Sequence, residues 1–175
     1  MNKNEFEHTI RAAGAILGVK DLLVIGSQAI HASTEMNIPE AQRSIEVDIA
    51  VFNDTDGTLA DLIDGSIGEL SLFQETFGYY AQGVTPQTAI LPEGWEKRLI
   101  AYNTPATNGI TAFCLEIHDL WISKSIAHRK KDIEFCQALL KIKLVITNTL
   151  KKRLSLMQNI QPEKHTAILG LIDKF

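Results

Sequence analysis

Alternating apolar and polar positions mark residues 43–52, RSIEVDIAVF, in which every second residue from Ile45 onward is apolar. The positions between them include two acidic residues, Glu46 and Asp48. Because successive side chains of a strand point to opposite faces, the pattern predicts a strand with both carboxylates on one face. Carboxylates held this close repel each other unless a cation or solvent compensates. Two interpretations stay open: an edge strand with a solvated face, or a strand that binds a cation.

The other patterns predict an α/β or α+β core followed by a helical region. Helical spacing over residues 4–17, closed by Gly18, predicts a first helix. The run DLLVI predicts a strand, QAIHAST a helix, and the Gly- and Asp-rich stretch after Phe52 one or two short helices. Four β-like runs follow, namely YYAQGV, TAIL, RLIAYN and TAFCLEI. The remaining residues favour only helix, over 118–142, 144–157 and 162–173.

These elements predict an α/β core over residues 1–117 and a C-terminal helical region, 118–175, packed on it as one compact unit. The chain has 175 residues, 45% of them hydrophobic and 22% charged, which is typical of a globular protein. A net charge of −4 argues against a broad basic surface for nucleic acid. No apolar run approaches the roughly 20 residues of a membrane span, and the first residues do not resemble a signal peptide. We therefore expect a cytoplasmic protein without a membrane partner, with Cys114 and Cys136 reduced and buried.

A glycine and a serine end the predicted strand in VIGSQAIHA, and a predicted helix begins directly after them. Gly26 permits close approach of another group, and Ser27 lies where free helix amides and the helix dipole favour a phosphate. Serine also caps many helices without any ligand, so this motif alone is a weak signal.

Charged residues recur at helical spacing in HDLWISKSIAHRKKDIEF, residues 118–135. On one continuous helix Lys124, His128 and Asp132 form a stripe with Lys131 beside it. A stripe of mixed charge is typical of a solvated helix face, and His128 fits that interpretation. Lys124 has hydrophobic residues on both sides, which favours a lysine that reaches from a packed helix into a cleft. Eight residues at 1.5 Å rise would place Lys124 and Asp132 about 12 Å apart.

Taken together, these segments resemble nucleotidyltransferases with a polymerase-β-like core. The shared layout is a Gly-Ser strand end, an acidic pair two residues apart on the next strand, and a later Lys…Arg-Lys-Lys-Asp helix. The resemblance extends over roughly residues 20–142. Within the superfamily, the chain most resembles the small bacterial branch related to AbiE-type abortive-infection and type IV toxin–antitoxin toxins. The segments that carry it are VIGSQAIHAS, SIEVDIAV, YYAQGVTPQTAILPEGW and LEIHDLWISKSIAHRKKDIEF.

The resemblance implies a mixed sheet flanked by helices, a C-terminal helical tail, an NTP substrate and Mg²⁺ as cofactor. It implies that nucleotide phosphates are bound by Gly26, Ser27, Lys124 and Arg129. It also implies that Glu46 and Asp48 hold the metal and act in catalysis together with Lys124 and Asp132.

The sequence departs from the family pattern in two ways. The first acidic position is Glu46, where Asp is commoner, and the third carboxylate of many such enzymes has no clear counterpart besides Glu116. These departures leave two functional hypotheses open. One is transfer of an NMP to a hydroxyl acceptor, either an RNA end such as tRNA or a protein, by a toxin with a cognate antitoxin. The other is a catalytically weak binding or regulatory protein with the same fold.

Overall fold

A mixed five-stranded sheet forms the centre of the computed structural model, which describes residues 1–175. The strand order is β3-β2-β1-β5-β4, with β1 parallel to β5, β2 parallel to β3, and the other two pairs antiparallel. The strands are β1 (Asp21–Val24), β2 (Glu46–Ala50), β3 (Tyr80–Gly83), β4 (Ile100–Tyr102) and β5 (Thr111–Cys114). The expected α/β architecture, a mixed sheet flanked by helices, is confirmed.

Eight α-helices accompany the sheet, and the last four follow one another at the C-terminal end. They are α1 (Lys3–Leu17), α2 (Pro39–Gln42), α3 (Thr58–Ile67), α4 (Leu72–Phe77), α5 (Ile117–Ala127), α6 (Lys130–Lys141), α7 (Thr147–Ser155) and α8 (Pro162–Ile172). The segment after β1 forms a short 3₁₀ helix, Ser27–Ala32. One continuous hydrophobic core of 38 buried residues reaches from Met1 to Ile172. None of the helices combines the length and the apolar character needed to span a membrane.

Strand β2 has the two faces that its sequence predicts. Val47 and Ile49 are fully buried, whereas Glu46 and Asp48 on the opposite face are partly exposed. The strand is not at the edge of the sheet, because it pairs with β1 on one side and β3 on the other. The edge-strand interpretation of the two carboxylates is therefore wrong.

Two other predictions from the sequence are wrong as well. The TAIL run forms no strand, because it lies between Pro86 and Pro92 and begins at the end of a 3₁₀ turn, Pro86–Thr88. Proline has no N–H to donate to a neighbouring strand, so a run between two prolines pairs poorly. The predicted helix over 118–142 is divided into α5 and α6, because His128 adopts a left-handed conformation, with φ 58°, at the end of α5.

Candidate active site

Gly26 and Asp48 are in direct contact where β1 ends beside β2. The N–H of Ile25 donates a hydrogen bond to the carbonyl of Asp48 (3.3 Å), which brings the two backbones together. A Cβ atom on Gly26 would overlap Asp48 Oδ2 and lie only 2.7 Å from its Cγ. The backbone of Gly26 is extended (φ −90°), so space and not conformation requires glycine at this position.

Free backbone donors lie immediately after this glycine. Neither the Ser27 nor the Gln28 N–H donates a hydrogen bond within the protein, whereas the Ala29 N–H donates to the carbonyl of Gly26. The buried Gln28 side chain fixes the segment, because its Nε2 donates to the carbonyls of Ala41 (2.9 Å) and Ser44 (3.3 Å). Ser27 lines a cleft, so its free N–H can bind an anionic oxygen there.

Glu46 is held by Tyr80, which the sequence did not single out, and by Lys131, which the sequence places only beside the charged stripe. The Tyr80 hydroxyl donates to Oε2 (3.0 Å), and the Lys131 Nζ lies 3.3 Å from Oε1. Burial alone would raise the pKa of Glu46, but the hydrogen bond from Tyr80 and the charge of Lys131 lower it below its ordinary value. Glu46 is therefore ionised at neutral pH. Tyr80 lies directly opposite Glu46 in the pairing of β2 with β3.

The Asp48 carboxylate, in contrast, receives no hydrogen bond and forms no ion pair. Burial raises its pKa, and the neighbouring charge of Glu46 raises it further, against the opposing effect of Lys124 and nearby cations. Two carboxylates on one strand face whose pKa values are moved in opposite directions are typical of functional sites.

Lys124, Arg129 and Asp132 meet because the chain turns at His128. The Nζ of Lys124 lies 3.6 Å from Asp132 Oδ1, and the Nε of Arg129 lies 2.7 Å from Oδ2. Asp132 is almost fully buried and also caps α6, since it accepts a hydrogen bond from the Arg129 N–H. The expected rise of about 12 Å between Lys124 and Asp132 does not apply, because it assumed one continuous helix and α5 ends before His128.

Two adjoining cavities contain all seven residues that the sequence assigned to the site. The first is lined by Ser27, Glu46, Lys124 and Asp132, with Lys131 and Arg43 at its side. The second is lined by Gly26, Asp48, Lys124 and Arg129, together with Gln82. Lys124 belongs to both and lies between them.

Glu116, the candidate for a third carboxylate, lies in a different environment. It caps α5, accepts a hydrogen bond from His118 Nδ1 (2.6 Å) and lies 3.9 Å from the guanidinium of Arg153. The chain has no group of three or more His, Cys, Asp or Glu residues arranged to hold a metal. The acidic pair of β2, Glu46 and Asp48, thus has no third carboxylate beside it.

The oxygen donors of the two carboxylates are of the kind that a magnesium ion prefers. Mg²⁺ in phosphate-transfer sites is commonly held by one or two carboxylates, substrate phosphates and water. The partly buried Asp48 carboxylate has no protein donor, so a cation would satisfy it.

Comparison with known proteins places the chain in a family. The model of the family DUF6036, described as a nucleotidyltransferase of unknown function, matches residues 6–170. The chain belongs to the DUF6036 nucleotidyltransferase family. The match contains every residue of the two cavities. The nucleotidyltransferase family expected from the sequence motifs is thus confirmed for this DUF6036 member. No curated protein and no solved structure matches the chain.

Proposed function

We propose that the protein is a Mg²⁺-dependent nucleotidyltransferase that moves an NMP from an NTP to a hydroxyl acceptor. The observation that carries the proposal is the contact between Gly26 and Asp48, which sets the free N–H of Ser27 beside the acidic pair. A nucleotidyltransferase needs such an arrangement, because donors for the phosphates and ligands for their cation must lie side by side.

Each side chain has a separate task in this proposal. The N–H of Ser27 binds a phosphate oxygen, and Lys124 neutralises charge on the triphosphate. Asp132 positions Lys124 and Arg129 through its two ion pairs.

Glu46 and Asp48 would hold the magnesium ion, which when bound offsets phosphate charge and polarises the reacting phosphoryl group. In the transfer, the acceptor oxygen forms a bond to the α-phosphorus. The bond between the α-phosphorus and the oxygen that bridges it to the β-phosphate breaks, and pyrophosphate leaves. The acceptor's proton passes to water.

The acceptor in this proposal is an RNA end such as that of tRNA, or a protein hydroxyl. The resemblance to AbiE-type and type IV toxins supports a toxin role with a cognate antitoxin. A second candidate function is nucleotide binding without efficient transfer. The longer Glu46 side chain and the missing third carboxylate favour this alternative, because both weaken activation of the acceptor hydroxyl.

Incubation with each α-labelled NTP, Mg²⁺ and total cell RNA or protein tests the proposal. We expect label to enter one acceptor class and to be lost in Asp48→Asn. Mg²⁺-dependent thermal stabilisation by NTP without any transfer would favour the binding protein instead. An absent nucleotide response in the wild-type protein would contradict both functions.

Lys124→Ala should weaken NTP binding by about tenfold or more, because a charge-assisted contact to phosphate is lost from a side chain that is only 13% exposed. The matched control is Lys130→Ala, an exposed lysine at the start of α6 that lines neither cavity. Equal effects of the two substitutions would show that Lys124 is an ordinary surface lysine. Binding is measured by calorimetric titration, with thermal unfolding as the check on folding.

A further inference from the structure

Lys131 differs from the other cations of the first cavity in the carboxylate that it contacts. Arg43 pairs with Glu134 (2.6 Å), and Lys124 pairs with Asp132 (3.6 Å), neither of which is assigned to the metal. Lys131 instead pairs with Glu46, a proposed metal ligand. It makes no other hydrogen bond or ion pair, and 57% of its side chain is exposed.

Each oxygen of Glu46 thus has one protein partner, Tyr80 on one and Lys131 on the other. A cation that binds Glu46 would lie beside the Lys131 ammonium, and repulsion between the two positive charges would weaken the Lys131–Glu46 pair. Tyr80 is buried and its backbone is fixed within β3, whereas Lys131 lies at the end of a flexible and largely exposed side chain. Exposed ion pairs contribute little free energy, so the Lys131 contact is the one that can exchange.

We propose that Lys131 occupies Glu46 while no divalent cation is bound and moves to the nucleotide phosphates when a cation takes its place. The proposal rests on the function proposed above. Lys131 lines the same cavity as Ser27, so its ammonium can reach phosphates bound there without movement of α6. The lysine would thus compensate the negative charge of Glu46 in the free protein and that of the triphosphate in the complex.

Two affinities should change in opposite directions in Lys131→Met. Binding of Mn²⁺ without nucleotide should tighten by about two- to fivefold, because the competing ammonium is gone. Binding of Mg²⁺–NTP should weaken by about three- to tenfold, because one cationic contact to phosphate is lost. Both are measured by isothermal titration calorimetry on the full chain. Lys130→Met is the matched control and should leave both affinities within error of the wild type.

A double variant separates competition at Glu46 from a general charge effect. In the Glu46→Gln background, Lys131→Met should no longer tighten Mn²⁺ binding, because the carboxylate for which both compete is absent. Unchanged affinities in Lys131→Met, or a loss of both, would overturn the inference while leaving the proposed function intact. Wild-type protein that binds Mn²⁺ but no nucleotide would instead overturn the proposed function.

Discussion

The Asp48 carboxylate is partly buried at the candidate site without a protein hydrogen bond, so its charge destabilises the fold. Its raised pKa means that, above the ordinary value of 3.8, the folded state binds more protons than the unfolded state. Stability contributed by this residue therefore falls as the pH rises from 3.8 through the raised pKa. Asp48→Asn should then be more stable than the wild type at pH 7, by about 1 kcal/mol.

Urea unfolding across the pH range provides the measurement. The advantage of Asp48→Asn should disappear below pH 3.8, where the wild-type carboxyl is protonated in both states. Millimolar Mg²⁺ should stabilise the wild type and not the variant. A variant less stable than the wild type at pH 7 would mean that Asp48 has a structural partner.

Gly26 makes the close approach of Asp48 possible, so Gly26→Ala should displace that carboxylate. The new methyl group would lie 2.7 Å from Asp48 Cγ, and overpacking of this kind costs about 1–3 kcal/mol. We expect loss of Mg²⁺–NTP binding together with this cost. The loss of stability should shrink in the Asp48→Ala background, where the obstructing carboxylate is absent.

The matched control is Gly65→Ala in α3. No atom lies within 4 Å of a Cβ at Gly65, and alanine favours helix, so this change should stabilise by about 0.5–1 kcal/mol. Nucleotide binding should be unaffected. Chemical unfolding and titration calorimetry measure the two quantities for both variants. If Gly26→Ala protein bound nucleotide normally, the site would not require glycine at position 26.

At the scale of elements, the break between α5 and α6 determines the shape of the site. His128 ends α5 with a φ of 58°, and its N–H donates to the carbonyl of Lys124. Glycine adopts this conformation without the strain of a side chain, so His128→Gly should stabilise by about 0.5–1 kcal/mol. His128→Val should destabilise by about 1 kcal/mol or more, because a β-branched residue is disfavoured there.

Thermal unfolding of the two variants tests this account of the break. Nucleotide binding should persist in His128→Gly, since the turn that brings Lys124 to Asp132 is kept. If glycine and valine shifted the unfolding temperature in the same direction by similar amounts, the left-handed turn would not be what ends α5.

The sequence predicts those features of the site that depend on local periodicity. The two faces of β2 follow from strict alternation, and Gly26-Ser27 follows from the end of an apolar run. The break at His128 does not, because α5 and α6 both have helical composition and neither Gly nor Pro separates them. The contact of Tyr80 with Glu46 depends on which strands pair and in which register, and no local pattern contains that information.

At the scale of the whole molecule, Asp119 connects the sheet region with the C-terminal helices. Its buried carboxylate is 2.7 Å from the Nε of Arg98, which precedes β4, and 3.0 Å from the Nε of Arg153 in α7. Breaking a buried ion pair from one side leaves charge uncompensated and typically costs about 3–5 kcal/mol. Asp119→Asn should thus destabilise strongly. Asp173→Asn, which removes an exposed pair with Lys151, should change stability by less than about 1 kcal/mol.

We predict that residues 1–117 and 118–175 unfold together. A single hydrophobic core includes both, with the fully buried Trp121 of α5 among its largest side chains. Hydrogen exchange measured by mass spectrometry should therefore give the slowest amides of β1 and of α5 the same opening free energy. Asp119→Asn should lower the opening free energies of β1 and α5 by the same amount, because neither segment keeps its core without the other. If protection fell in α5 to α7 while β1 kept its wild-type value, the helical region would be a separate folding unit docked on an independent core.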